Sequence, residues 1–443
     1  MTPSPSDILS RPLTLPCGAV LPNRLCKAAM TEGLADEHLR ATPRLDTLYR
    51  RWSDGGAGLL LTGNVQIDRR VLERPANVTI DITDAMTQDG EARQRLARWA
   101  KAGTSGGNHL WMQINHPGRQ SPRYVTRQPM APSAEQLGLL GNFGKPRALT
   151  EPEILDLIER FAKVAVIARD CGFTGVQIHA AHGYLLSSFL SPVTNRRTDA
   201  WGGDLSNRAR MLIEVLRATR RAVGADFPIS VKLNSDDFRK GGFTNDDCVQ
   251  VVGWLNDESV DLLELSGGNY EQPALLGHQG DASTAAPKRE STRRREAYFL
   301  EYAERVRKVA KMPLMVTGGF RTRETMETAV DEGVCDVIGL ARPLCTHTDV
   351  AGALLRGETR ELPAFERGLV LADRGLFSPT SKLALFRQLN AFGEIGWYYL
   401  NLFRLADGLG PDLQRGTLSA LIGYLSTEYR AAWRMHRARR SHV

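Results

Sequence analysis

The chain has 443 residues and a formal net charge of +7, and 42% of its residues are hydrophobic while 24% are charged. These values are typical of globular proteins and argue against a disordered or fibrous chain. The small basic excess is compatible with anionic ligands but does not indicate a nucleic-acid partner. No run approaches the roughly eighteen apolar residues of a transmembrane helix, and no signal peptide is visible. Six scattered cysteines without a CxxC pair predict a reducing, cytoplasmic compartment.

Short β-rich apolar runs alternate with longer helical patterns from about residue 24 to residue 345. The sequence predicts eight strands, at Arg24–Ala29, Gly58–Gly63, Leu110–Asn115, Gly175–His179, Ile229–Asn234, Asp261–Ser266, Pro313–Thr317 and Asp336–Ala341. Between them lie helical stretches such as Pro152–Asp170, where apolar residues recur at every third or fourth position. This alternation predicts a parallel sheet, and eight strands predict a closed (β/α)8 TIM barrel. An open doubly wound sheet is the alternative, but no candidate strand is followed by GxGxxG.

The sequence divides into a barrel over residues 1–350 and a C-terminal helical extension over residues 351–443. Helices are expected around Lys382–Leu400 and from Gly416 to Arg437. The apolar run from Trp397 to Phe403 favours a helix that packs on the barrel or at the subunit interface of a homo-oligomer. The arginine-rich end suits the dipole of a final helical turn, with contact to an anionic membrane surface as the alternative.

Two connections, residues 116–150 and 267–295, are too long for ordinary βα loops. Both follow the C-terminal ends of strands, where the active sites of this fold lie. The second contains the basic cluster Arg293–Arg295, for which a solvated helix start is the first interpretation.

The strongest catalytic pattern follows the fourth strand, in GVQIHAAHGYLLSSFLSPVTNRRTDAWGG. His179 and His182 lie at the end of the strand, and Tyr184 comes two residues later. Two imidazole N–H groups can polarise a carbonyl oxygen while a phenol delivers a proton. The HxxH spacing also occurs in metal sites, but no convincing third zinc ligand lies nearby, so we expect no metal.

This whole segment resembles the old yellow enzyme family, which comprises FMN-dependent ene-reductases and NADH oxidase–like proteins. The resemblance extends from LPNRLCKAAMTEG through GLLLTG and WMQINHPGRQ to VTGGF and IGLARP, about residues 8–345. It implies a barrel that binds FMN at its C-terminal mouth, NADH or NADPH as electron donor, and an activated alkene or other small acceptor as substrate. In that family arrangement His179 and His182 bind the electron-withdrawing oxygen, and Tyr184 protonates the α-carbon.

The resemblance also implies which residues hold the flavin ring. The backbone at Ala29 and Met30 would line one face, and the Thr31 side chain would bind the C4 carbonyl. Gly63 would let the pyrimidine approach the backbone, and the Gln113 amide would donate and accept at the pyrimidine edge.

Lys232 and the last two strand ends complete the implied FMN site. A cation at Lys232 would lie beside N1 and O2, where reduced flavin carries negative charge. The implied phosphate contacts are Gly318, Gly319, Ala341 and Arg342, at the ends of strands seven and eight, a recurrent phosphate site in this barrel.

Several alternatives stay open at the sequence level. Lys232 is costly in a barrel strand unless paired, and it could instead serve a flavin-free Schiff-base lyase. A non-catalytic flavin-binding protein is a further alternative. The choice between NADH and NADPH is open, with Arg293–Arg295 as a weak indication of a phosphate contact. His116 and Arg119 are expected to hold the third loop, with substrate contact as the alternative.

Overall fold

The computed structural model of the chain describes residues 7–138, 141–266 and 302–440. Its central element is a barrel of eight parallel strands. These strands, β1 to β8, are Leu25–Lys27, Leu59–Leu61, His109–Asn115, Gly175–Ala180, Ile229–Asn234, Leu262–Ser266, Leu314–Thr317 and Val337–Leu340. Each strand pairs with the next along the chain, and β8 pairs with β1 to close the sheet. The predicted (β/α)8 TIM barrel is confirmed.

Helices surround the barrel and continue beyond it. In the described residues, helices α1 to α11 are Pro43–Ser53, Ala85–Gln88, Gly90–Gly103, Glu151–Asp170, Leu185–Leu190, Leu205–Val223, Asn245–Leu255, Arg323–Asp331, Val350–Leu355, Ala384–Ala406 and Thr417–Arg440. Residues 302–307 are also helical. Helix α4 begins with a capping box between Thr150 and Glu153, which satisfies N–H groups that the helix itself leaves unpaired.

Short elements lie under the floor of the barrel and in its loops. An antiparallel pair, Leu13–Thr14 with Val20–Leu21, covers the floor, and Val65–Gln66 extends the sheet beside β3. In the long third loop, Met130–Ala131 pairs with Arg147–Ala148. Short 3-10 helices occur at Ile8–Ser10, Arg342–Cys345 and Phe365–Arg367.

The barrel interior is apolar at its floor and polar towards its C-terminal mouth. Buried side chains of Cys26, Leu59, Trp111 and Met315 form part of the floor. Gly175 is required there, because a Cβ would lie 2.5 Å from the Trp111 ring. Since the inward positions above this layer are polar, the fold directs its chemistry to the C-terminal mouth.

The C-terminal extension folds as α10 and α11, which correspond to the two predicted helices. Tyr399 of α10 stacks on Tyr424 of α11 with ring centroids 5.3 Å apart. Helix α10 packs on α1 and on the 3-10 helix after β8, and Arg44 of α1 pairs with Asp407 at 2.6 Å. The extension therefore contacts the barrel of its own chain.

One face of α11 remains open to solvent. Leu418, Ile422, Tyr429 and Trp433 are all exposed there. Within the described residues, no helix is both long enough and apolar enough to cross a membrane.

Candidate active site

The three predicted catalytic side chains meet at the mouth of the barrel, at the end of β4. The His179 and His182 ring centroids are 5.2 Å apart, and those of His179 and Tyr184 are 4.8 Å apart. His182 has a left-handed backbone with φ of 62°, a conformation that non-glycine residues seldom adopt. The His182 N–H donates to Asn234 Oδ1 at 3.0 Å, which holds this turn against β5.

Both imidazoles are arranged as neutral groups. Burial lowers the pKa of His179 and of His182 well below the ordinary value, and the nearby Lys232 cation lowers both further. His179 Nδ1 accepts the Ala181 N–H at 3.2 Å, so the ring proton of neutral His179 lies on Nε2. His182 Nε2 lies 2.7 Å from Ser266 Oγ on β6. His179 therefore has a donor available for a substrate oxygen.

A buried polar network fills the layer of the barrel beneath these histidines. Lys232 on β5 pairs with Glu264 on β6 at 2.9 Å, and the two side chains are 4% and 0% exposed. Gln177 Nε2 donates to Glu264 Oε2 at 2.8 Å, and Gln113 Nε2 donates to Gln177 Oε1 at 2.6 Å. The lysine is therefore paired rather than isolated, and the network fixes the predicted Gln113 and Lys232 in one layer.

A second cluster forms around the carboxylate of Glu73, in the loop after β2. Tyr184 Oη donates to Glu73 Oε1 at 2.8 Å, and Thr31 Oγ1 donates to Glu73 Oε2 at 3.0 Å. Asn64 Nδ2 donates to Glu73 Oε2 at 2.6 Å. Thr31, predicted to bind the flavin, is thereby connected to the predicted proton donor.

The residues predicted along one flavin face lie where β1 and β2 end. Ala29 and Met30 are partly buried there, and Met30 Sδ lies 3.5 Å from Cys345 Sγ. The Gly63 N–H donates to Glu32 Oε1 at 3.1 Å. A Cβ on Gly63 would lie 2.3 Å from Glu32 Oε2 and 2.4 Å from the Met30 carbonyl. Glycine is therefore required because the loop after β1 packs directly on this position.

The predicted phosphate contacts lie at the ends of the adjacent strands β7 and β8. Gly318 and Gly319 have φ of 101° and 88°, so glycine is needed at both positions. The half-buried Ala341 precedes the four-residue 3-10 helix that begins at Arg342. Arg342 Nη1 lies 3.2 Å from Glu394 on α10 and 3.8 Å from Glu366.

Two residues of the third loop are buried and form hydrogen bonds with backbone groups of that loop. His116 is fully buried, and its Nδ1 accepts the Gly118 N–H at 3.1 Å. Arg119 is also buried and donates to the Glu135 carbonyl at 3.4 Å. The loop at residues 267–295, with its cluster Arg293–Arg295, lies outside the described residues.

Sequence reasoning missed Glu73, Glu264 and Glu394. Glu264 has a detectable signal, since it is a charged residue in the middle of the apolar run LLELS. Glu73 and Glu394 have none, because each meets its partner only through tertiary packing. In the described ranges no group of three potential metal ligands comes together.

Residues 9–358 match the model of the NADH:flavin oxidoreductase / NADH oxidase family. The chain belongs to this family, that of the old yellow enzymes. It is accordingly an oxidoreductase of a family that uses FMN with NAD(P)H. The resemblance noted in the sequence is confirmed.

Individual relatives agree with this assignment. An NADH-dependent flavin oxidoreductase, iliE of Hypocrea jecorina, is 38% identical over 355 residues, covering 76% of this chain and 86% of its own length. An NADH oxidase of Thermoanaerobacter brockii is 33% identical and covers 77% of this chain but 50% of its own length.

A solved old yellow enzyme homologue from Zymomonas mobilis is 26% identical with a TM-score of 0.67, covering 81% of this chain and 95% of that one. A 2-naphthoyl-CoA reductase structure is 25% identical with a TM-score of 0.71, covering 79% of this chain and 52% of that one. Both solved structures share the barrel fold of this chain.

Proposed function

We propose that the protein is an ene-reductase, which takes hydride from NADH or NADPH and transfers it through FMN to an activated C=C bond. The observation that carries this proposal is the meeting of His179, His182 and Tyr184 at the mouth of the barrel. Two neutral imidazoles beside one phenol suit an acceptor with an electron-withdrawing oxygen and a carbon that must take up a proton.

The residues present fit FMN. The Gln113 amide and the Lys232 ammonium suit the polar edge of the flavin, and the Thr317 hydroxyl is buried with no hydrogen-bond partner in the described part of the chain. The bare glycines at 318 and 319 leave backbone N–H groups for a phosphate. When bound, FMN supplies the hydride chemistry.

Each polar side chain then has a separate task. His179 would donate its Nε2 hydrogen to the substrate oxygen. His182 lies beside His179, with its Nε2 at 2.7 Å from Ser266 Oγ. Their neutrality matters because a neutral imidazole can donate one hydrogen bond without adding a charge that must be desolvated. Tyr184 would give its phenolic proton to the α-carbon.

At the proposed site of the FMN phosphate, the Arg342 guanidinium would have to bind both the phosphate and Glu394, from which it lies 3.2 Å. A phosphate there would compete with the carboxylate for the same guanidinium. We expect Arg342→Ala to weaken FMN retention, which equilibrium dialysis measures.

Tyr184→Phe tests the proposed acid. Phenylalanine keeps the ring volume, so the substitution removes the phenolic proton with little change of packing. Reoxidation of the reduced enzyme by a weakly activated cyclic enone should slow by about two orders of magnitude or more, whereas bleaching by NAD(P)H should slow far less. Stopped-flow absorption under anaerobic conditions measures the two half-reactions separately.

A matched control and two contrary outcomes make the test decisive. Tyr429→Phe, on the exposed face of α11, should leave both rates unchanged. Equal slowing of both half-reactions in Tyr184→Phe, or no slowing with the enone, would remove Tyr184 from the role of acid. Purified protein that cannot be reconstituted with FMN would refute the ene-reductase, whereas flavin colour without NAD(P)H turnover would favour a non-catalytic flavin protein.

A flavin-free lyase that uses Lys232 is disfavoured by the ion pair with Glu264. A Schiff-base lysine must act as an uncharged nucleophile, whereas the Lys232 side chain is engaged in a buried ion pair with Glu264 at 2.9 Å. Borohydride trapping with a carbonyl compound tests this alternative directly.

We also propose a cytoplasmic location, supported by six unpaired cysteines, and a homo-oligomer, which light scattering would test.

A further inference from the structure

The exposed apolar side chains of the protein concentrate in the C-terminal extension, to which the proposed function gives no task. Of the twelve large apolar residues that are exposed in the described ranges, ten lie between Leu376 and Trp433. Single exposed apolar residues are common on soluble proteins, whereas a continuous patch of them marks a contact with a partner or a membrane. The extension therefore carries a candidate contact surface.

Four of these residues form one ridge along α11. They are separated in the sequence by four, seven and four residues, and these spacings return to the same side of an α-helix. The ridge is about 22 Å long, since a helix rises about 1.5 Å per residue. Its members are between 58% and 62% exposed and are Leu418, Ile422, Tyr429 and Trp433. Such a ridge gains free energy when its apolar side chains leave water.

The same helix is strongly basic. It contains five arginines and one acidic residue, Glu428, which is buried in an ion pair with Arg74 of the loop after β2. The Arg437 guanidinium lies 5.5 Å from the ring centroid of Trp433, so basic and apolar groups meet on one surface. Within the described helix no exposed residue is acidic, and the exposed arginines are Arg430, Arg434, Arg437 and Arg440.

Contacts with two loops of the barrel hold α11 in place. The Arg74 guanidinium that pairs with Glu428 also lies 4.0 Å from the ring centroid of Tyr399 on α10. His436 of α11 donates from Nε2 to the Tyr124 carbonyl oxygen at 2.9 Å. Because these loops follow the C-terminal ends of β2 and β3, α11 lies at the end of the barrel where the candidate active site opens.

We propose that this face of α11 binds the surface of a bilayer that contains anionic phospholipids. The helix would lie in the plane of the interface, where the ridge enters the boundary between headgroups and acyl chains and the arginines meet lipid phosphates. A tryptophan and a tyrosine suit that depth because each has an apolar ring with one polar atom. Arginine suits it because a guanidinium donates two parallel hydrogen bonds to a phosphate.

A second copy of this chain is a less suitable occupant of the same face. In a twofold pair each α11 would offer the other the same surface, and the described helix presents arginines but no exposed carboxylate. Like charges brought together at an interface oppose association. Anionic lipid supplies both an apolar boundary and negative charge, so it matches the ridge and the arginines together.

Vesicle sedimentation of the purified, full-length holoenzyme tests the binding without turnover. Vesicles made of equal parts phosphatidylcholine and phosphatidylglycerol should carry the protein into the pellet, whereas vesicles of phosphatidylcholine alone should leave it in the supernatant. Binding should weaken as added salt screens the arginines. An equal affinity for both kinds of vesicle, or no affinity for either, would overturn the proposal.

Trp433 reports on the ridge itself. The chain has seven tryptophans, all within the described ranges, and Trp433 alone is exposed. Iodide is a quencher confined to water, so the mixed vesicles should protect the fluorescence of the native protein from it. Trp433→Tyr keeps an amphipathic ring and should still sediment, but this protection should disappear. Unchanged quenching in the native protein when it is bound to vesicles would show that α11 does not contact the lipid.

Substitutions separate the apolar part of the surface from its basic part. Ile422→Ser with Trp433→Ser should lower partitioning onto the mixed vesicles by about tenfold or more. Arg430→Gln with Arg434→Gln should lower it by about fivefold for each arginine removed. All four side chains are exposed, so FMN retention should be unchanged in both variants.

Two matched controls and a mass measurement complete the test. Leu155→Ser on α4 and Arg210→Gln on α6 also change exposed side chains, and both should bind vesicles as the native protein does. Equal losses in these controls, or full binding by Ile422→Ser with Trp433→Ser, would overturn the role of α11. In light scattering the native protein and that double variant should have the same mass. An oligomer that the two substitutions dissociate would show that a second copy covers the ridge, and would overturn the proposal.

Discussion

Lys232→Met should destabilise the protein severely, because it leaves the carboxylate of Glu264 buried without its cation. The two groups are 2.9 Å apart, with exposures of 4% and 0%. At that distance an effective dielectric constant of about 20 gives an attraction of about 6 kcal/mol, which is offset by the cost of desolvating both charges. Breaking one side of a buried pair typically costs about 3–5 kcal/mol. We expect a loss in that range.

Adding Glu264→Gln to Lys232→Met should restore much of the lost stability. In Lys232→Met, Glu264→Gln the buried charge is gone, and the new amide oxygen can still accept from Gln177 as Glu264 does at 2.8 Å. Replacing a buried ion pair by uncharged residues of similar volume is often close to neutral. We therefore expect the double variant to be more stable than Lys232→Met alone.

Urea unfolding followed by tryptophan fluorescence measures the free energy of unfolding of the native protein, of Lys232→Met and of the double variant. The measurement is made with and without saturating FMN, since a bound ligand itself raises stability. Equal midpoints for Lys232→Met and the native protein would refute the uncompensated-charge argument. So would a double variant no more stable than the single one. Lys232→Met should also make the flavin harder to reduce, which a dye-coupled redox titration measures.

Three further predictions follow from packing and charge. Gly175→Ala should cost about 1–3 kcal/mol, because its Cβ would meet the Trp111 ring at 2.5 Å, whereas Gly90→Ala, with nothing within 4 Å, should unfold at nearly the native temperature. Burial lowers the pKa of His116 from its ordinary value of about 6.5 to about 4. Because the unfolded chain then takes up a proton more readily than the folded state, the free energy of unfolding should fall by up to about 3 kcal/mol as pH falls from about 6.5 to about 4. Urea midpoints across this pH range should decline less in His116→Gln, and an equal decline would contradict the argument. Ending the chain after Ser381 removes α10 and α11 and exposes the apolar surface that they cover, so size-exclusion chromatography should show aggregation. A stable monodisperse product would contradict this prediction.

The barrel could be predicted because each strand carries its own signal. Apolar runs bounded by turns placed all eight strands, and errors were confined to their ends. The first strand, for example, spans Leu25–Lys27 rather than Arg24–Ala29. The Arg24 carbonyl and the Ala28 N–H still bond to β8 at 2.8 Å, so the apolar pattern extends to the flanking residues that share its hydrogen bonds.

The gathering of His179, His182 and Tyr184 could be foreseen because all three lie within six consecutive residues. Their partners could not be found in the same way. Glu73 is more than a hundred residues from Tyr184 along the chain, and nothing in its own surroundings in the sequence predicts that contact. Lys232 was expected to need a partner, but only the parallel register of β5 with β6 identifies it as Glu264.

The buried contact between Arg74 and Glu428 has a consequence for how this enzyme can be varied. Arg74 belongs to the stretch common to the family, whereas Glu428 lies beyond the matched residues 9–358. A tail exchanged between family members would therefore need to bring a carboxylate to the same place, or the loop that carries Glu73 and Arg74 would lose its outer support. Mutational libraries aimed at substrate scope should accordingly include the final helix, although no residue of that helix is assigned to the pocket.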